Sequence, residues 1–234
     1  MSVHERQSLS RHPGEECTPA ERVTRSLLGY GMVAGPFYIV ASLVEAISRS
    51  RFNLAQDDWS LLALGAFGWI HVTVLILTGL MVIAAAVGLF RELRSQGDRT
   101  LAARLLGGFG AGMVGAGIFS ADPANGFPPG TASGATSSIS WHGALHLAFG
   151  GLGFIAFTVA CIVIAIRFRR AGETGWFAFS LTTGILFLAS FVGIASGRPT
   201  TVTVLAFTAG VILAFAWLFL FSRYLYRLIA ARRH

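Results

Sequence analysis

Residues 64–90 read LGAFGWIHVTVLILTGLMVIAAAVGLF, twenty-seven residues with one histidine, His71, and no Asp, Glu, Arg or Lys. About 20 apolar residues wound at 1.5 Å each cross a hydrocarbon core of ~30 Å, so this run is long enough to span a bilayer as a helix. Working outward, five further runs of the same character give six expected helices, near 26–47, 64–90, 102–119, 140–167, 176–196 and 202–226. The whole 234-residue chain is 54% hydrophobic and only 12% charged, with a mean hydropathy of +0.65. A soluble domain carries about twice that charged fraction. The expected fold class is therefore all-α: a polytopic integral membrane protein built as a single bundle of six transmembrane helices over residues 26–228. Residues 1–25 are polar, contain Pro13 and Pro19 and lack a signal peptide's apolar core, so they read as a disordered tail. Residues 229–234 read as a short basic tail.

Charge placement sets the orientation. The formal charge is +7 with 18 Lys+Arg, all of them arginine, and they bracket the apolar runs instead of forming the single basic patch that nucleic acid requires. Fifteen lie in the two tails and in the connections around 91–104 and 167–170; only Arg49, Arg51 and Arg198 lie in the other loops. The positive-inside rule then puts both termini in the cytoplasm, with a bacterial plasma (inner) membrane as the expected location and membrane lipid as the surrounding partner. The acidic residues and histidines near spanning segments, Glu45, His71, Asp122, His142 and His146, then fall in the outer half. The inner half is expected to offer only arginine. The two cysteines, Cys17 and Cys161, lie in different phases and define no disulfide framework or metal motif.

Against this background the polar stretch from Asp122 to His146 stands out, because ionisable groups at the edge of a membrane helix are costly unless used. His142 and His146 are four residues apart and share one helical face, about 6 Å apart at Cβ. That spacing lets two imidazoles bind one zinc ion, with Asp122, His71 or Glu45 completing the shell. A haem between His71 and His146 would need the two on facing helices at matched depth. The same histidines can equally hydrogen-bond across helices or serve a proton relay. Ser60, ahead of helix 2, is expected to cap that helix; the alternative is a nucleophile with a histidine as its base. Asp122 before Pro123 reads as a turn-initiating or capping aspartate, and Glu45 as an i,i+4 partner of Arg49. The candidate catalytic residues are thus Ser60, Asp122, His142 and His146. The candidate metal ligands are His142, His146, Asp122 and His71. Trp59, Trp69, Trp141 and Trp176 read as an interfacial belt. Gly108 and Gly112 form a GxxxG pair, suited either to close packing inside the bundle or to a homo-oligomer face through helix 3.

Three blocks resemble the family catalogued as domain of unknown function 998. They are Asp58-Trp59-Ser60-Leu61-Leu62-Ala63-Leu64-Gly65 leading to Gly68-Trp69-Ile70-His71; Gly115-Ala116-Gly117-Ile118-Phe119 followed by Asp122-Pro123, Gly126-Phe127-Pro128 and Gly130; and His142-Gly143-Ala144-Leu145-His146. The resemblance covers roughly residues 28–225 and implies six helices, with no established activity. His71 departs from it, standing where glutamine or another polar residue is expected. A more distant similarity is to helical membrane hydrolases that gather Ser, Asp and His around zinc. Two functional classes follow. One is a non-catalytic sensor, assembly factor or small-solute membrane protein with an outward-facing polar pocket. The other is a metal-dependent hydrolase of lipid or lipid-linked substrates.

Overall fold

A computed structural model describes residues 18–131, 138–196 and 200–231. Among them six helices are long and apolar enough to cross a membrane: α1 (Pro19–Ser48), α2 (Gly68–Ser95), α3 (Leu101–Ile118), α4 (Trp141–Arg170), α5 (Thr174–Ala195) and α6 (Thr201–Ala231). The protein is a multi-pass membrane protein. Each helix packs against its neighbour in the chain and α6 returns to α1, closing a ring.

Helix α1 starts seven residues ahead of the expected position 26. Thr18 and Glu21 form a reciprocal capping box and Pro19 occupies the first turn, so the polar sequence here begins a helix instead of ending a tail. The remainder of the expected tail, Cys17 included, lies outside the described residues. Helix α6 continues to Ala231, three residues past the expected end of the bundle.

Small residues set the helix spacing. The GxxxG pair is spent within the bundle: a Cβ on Gly112 would stand 2.8 Å from the Gly153 Cα, and one on Gly108 would meet the Ala156 Cβ at 3.5 Å. Gly110 and Gly79 make the equivalent close approach between α3 and α2. Rings then fill the middle of the bundle, where Phe157 lies 4.9 Å from Phe109 and 5.5 Å from Trp217. The Trp217 indole N–H donates to Ser180 Oγ at 3.0 Å, satisfying a donor that would be costly unpaired in this interior.

The two ends of the bundle differ. At the end carrying the α2–α3 and α4–α5 connections, short turns are tied by arginine: Arg91 Nε donates to Thr24 Oγ1, and Arg167 meets Asp98 at 2.6 Å and Gln96 at 3.0 Å. Glu92 is buried at this end and accepts from Gln96. The expectation of an arginine-only end therefore needs correcting, because α2 extends through Ser95 and carries the carboxylate inward.

The opposite end is built from long loops. Residues 59–63 form a 3-10 turn and α2 begins only at Gly68, with Phe67 at its cap position. Ser60 thus does not cap α2. Trp59 is likewise no belt residue: it is 6% exposed, whereas Trp69 and Trp141 are 66% and 65% exposed and do face outward. In the 119–140 connection, Asn125 and Gly126 both have positive φ, and Ala124 and Phe127 exchange backbone hydrogen bonds, a two-residue hairpin turn of the Asn-Gly kind. This turn locks onto the 49–58 segment. Phe127 packs edge-on against Phe52, and the Asn125 amide donates to the Gln56 carbonyl at 2.9 Å.

Candidate functional site

Beneath these interlocked loops a cavity of about 370 Å³ descends between α1, α3, α4, α5 and α6. Its volume is within the range of about 300–1,000 Å³ seen in small-molecule sites. The deep walls are apolar and aromatic, with Phe109, Phe154, Phe187, Phe207 and Phe215 among them. The ionisable groups Asp58, Asp122 and His146 line it, together with Ser60, and among the described residues no arginine does. Tyr38 adds a buried phenol, with its ring 5.6 Å from Trp59.

His146 is oriented by the end of α3. Its Nδ1 lies 2.9 Å from the carbonyl oxygens of both Ala116 and Phe119. Carbonyls only accept, so Nδ1 carries a proton, and in a neutral ring Nε2 is then the nitrogen with the lone pair. The contact also satisfies carbonyls that a helix C-terminus leaves open. Asp122 sits over the start of α4. Its Oδ2 accepts from the Ser140 N–H at 2.9 Å, and the Ser140 hydroxyl in turn accepts from the Gly143 N–H at 3.0 Å. A carboxylate here complements the positive end of the helix dipole. A Cβ at Gly143 would lie 2.1 Å from Asp122 Oδ2, so the carboxylate occupies the space that the glycine leaves. The N-cap of α4 is thus Ser140, and Asp122 supports that cap across the loop instead of capping the helix itself. On the opposite wall, Ser60 Oγ donates to Asp58 Oδ1.

The other candidates lie elsewhere. His142 is exposed and rests against Trp141, with ring centroids 3.6 Å apart. His71 is fully buried, 3.3 Å through Nδ1 from Glu45 Oε1, and does not line the cavity. Glu45 also pairs with Arg49 at 3.2 Å, as the i,i+4 reading expected. That guanidinium donates further to the carbonyls of Leu62, Leu64 and Phe67. Glu45 therefore anchors the 3-10 turn that presents Asp58 and Ser60.

The residues named for zinc consequently fall in three places. Asp122 and His146 share the cavity, His142 is on the surface, and His71 is held by Glu45. Among the described residues, no group of three or more His, Cys, Asp or Glu side chains is placed to hold a metal ion. The His71–His146 arrangement for haem is likewise not assembled around one cavity. Sequence reasoning did not single out Asp58 or Tyr38. The available signal for Asp58 was a carboxylate two residues before Ser60, a spacing that acquires meaning only once a tight turn brings the two together.

No curated protein matches the chain, and no solved structure does. Residues 32–224 match the family described as "Protein of unknown function (DUF998)", nearly the span over which the three sequence blocks resemble it. The chain belongs to the DUF998 family.

Proposed function

We propose that this protein is a non-catalytic membrane protein that binds an amphiphile, one hydrocarbon chain in the aromatic cavity and a polar head at its mouth. The observation that carries this reading is the division of the cavity's lining: hydrocarbon and rings in depth, Asp58, Ser60, Asp122 and His146 toward the loops. Among the described residues two carboxylates and no arginine line the cavity, which favours a head that donates hydrogen bonds or carries positive charge over an anionic one. The arginine bias supports placing this mouth on the outer face of a bacterial plasma membrane.

The test uses dodecylamine and dodecanoate with the protein in nanodiscs, read by thermal stabilisation. Gly150 lines the cavity, and a Cβ there meets nothing within 4 Å, so Gly150→Leu fills the space without displacing the helix. Dodecylamine is expected to stabilise the wild type more than dodecanoate does, and Gly150→Leu to weaken the response by about tenfold or more. Equal responses to the two amphiphiles, or full binding by Gly150→Leu, would overturn the reading.

A hydrolytic reading is favoured by a separate observation, the presence of Ser60, Asp122 and His146 on one cavity, where a neutral His146 would present its Nε2 lone pair. It requires Ser60→Ala to abolish cleavage of a long-chain p-nitrophenyl ester by purified protein. Activity unchanged in that variant removes Ser60 as the nucleophile.

A further inference from the structure

At the basic end of the bundle a second hollow, about 400 Å³, lies between the start of α5 and the end of α6. We infer that it is a binding site for one anionic phospholipid, with Arg223 and Arg227 on the phosphate and the upper acyl chain along Leu220 and Trp176.

Depth supports this assignment. Residues 201–222 of α6 contain no charged side chain; 22 residues at 1.5 Å rise cover roughly 33 Å, about one hydrocarbon thickness. Arg223 is therefore the first charge beyond the hydrocarbon, at the level of the phosphates. Arg227 follows one turn later on the same face. Both are exposed, and neither takes part in an ion pair among the described residues. Trp176 and Tyr224 form the aromatic side of the groove, their rings 5.1 Å apart, and Trp176 stacks on Phe168. Indole and phenol rings prefer this interfacial level. The groove thus offers Trp176 and Leu220 on the membrane side of Arg223 and Arg227, with Leu228 and Ala231 lining it beyond them, and the two guanidinium groups complement an anionic head whose chain runs back along Leu220. Guanidinium also matches phosphate geometry with paired donors.

The experiment uses the full chain in a zwitterionic detergent, titrated with phosphatidylglycerol or phosphatidylcholine bearing brominated acyl chains. The Trp176 signal is isolated by subtracting Trp176→Phe. Phosphatidylglycerol is expected to quench Trp176 at roughly thirtyfold lower concentration than phosphatidylcholine, since two arginines near an anionic surface together contribute on the order of 2 kcal/mol. The preference should vanish in Arg223→Gln/Arg227→Gln and persist in Arg94→Gln/Arg104→Gln, which removes the same charge elsewhere at this end. Equal quenching by the two lipids in the wild type would overturn the inference without recourse to any variant. An equal loss in both double variants would do so too, because it would reduce the effect to net charge.

Discussion

The two ends of this bundle each bury a carboxylate, Glu92 at one and Glu45 at the other, but they hold their arginine–carboxylate pairs differently. At the basic end, ion pairs sit at the rim: Arg167 and Asp98 are 45% and 41% exposed, and arginines border an open groove. At the other end, the Arg49–Glu45 pair is drawn inside. Glu45 is 7% exposed and His71 fully buried, and Arg49 spends its donors on Glu45 and three backbone carbonyls. The difference shows where structure is being held against its own tendency to relax. Short turns such as 171–173 need little support. The long 49–67 segment has few backbone partners of its own, and a buried side-chain network supplies them. That network positions one wall of the cavity, while Asp122 and the α4 cap position the other.

The largest effect should separate the ends directly. Glu45→Ala leaves the buried His71 and the half-buried Arg49 without their carboxylate, and should cost about 3–5 kcal/mol. Asp98→Ala, which removes the exposed pair, should cost at most ~1 kcal/mol. Unfolding of both variants under identical lipid and detergent conditions checks this; comparable losses would erase the contrast.

A smaller effect is expected at the α4 cap, where Asp122→Ala removes the acceptor for the Ser140 N–H and should cost roughly 1–2 kcal/mol. The steric relation with Gly143 makes a sharper version. Gly143→Ala should be destabilising alone and nearly harmless in the Asp122→Ala background, so a thermodynamic cycle should show strong coupling. Additive effects would mean the carboxylate does not occupy the space the glycine leaves.

The smallest effect concerns Asp57 in the 49–58 segment. Desolvation raises its pKa above the ordinary carboxylate value, outweighing the hydrogen bond from the Asn53 N–H. A raised folded-state pKa means that the ionised form costs stability. The wild type should therefore gain stability as pH falls through the folded pKa toward the unfolded value of about 3.9. Asp57→Asn keeps an acceptor for Asn53 and should be the more stable protein at neutral pH, by less than ~1 kcal/mol. The gap should close on acidification, as thermal unfolding at stepped pH would record. A constant gap would remove Asp57 titration as its cause.

The places where sequence reading failed share a cause. Ser60 has the residue type and position of a helix cap, yet a 3-10 turn intervenes and gives its hydroxyl to Asp58. Trp59 has the composition of an interfacial anchor but turns inward beside Tyr38. Glu92 lies beyond the apolar run that marks helix 2 in the sequence, so hydropathy gives no sign of its burial. In each case the backbone path of a loop or a helix end decided the outcome, and such paths depend on contacts between distant segments, as Phe52–Phe127 and Asn125–Gln56 show.

Helix number, approximate span, the Glu45–Arg49 pair and the uneven distribution of arginine could be read from the chain alone. These properties are local: a run of apolar residues satisfies its own backbone as a helix whatever surrounds it, and i,i+4 neighbours meet on any helix. Only the tertiary structure decided that His146 lines a cavity while His142 lies on the surface. It alone placed Asp58 and Ser60 on one wall and Asp122 on the other, and gave His71 to Glu45. Convergence of side chains from separate helices depends on helix rotation, set here by glycine contacts such as Gly112–Gly153, and on the interlocking of two loops far apart in sequence. Residue spacing records neither.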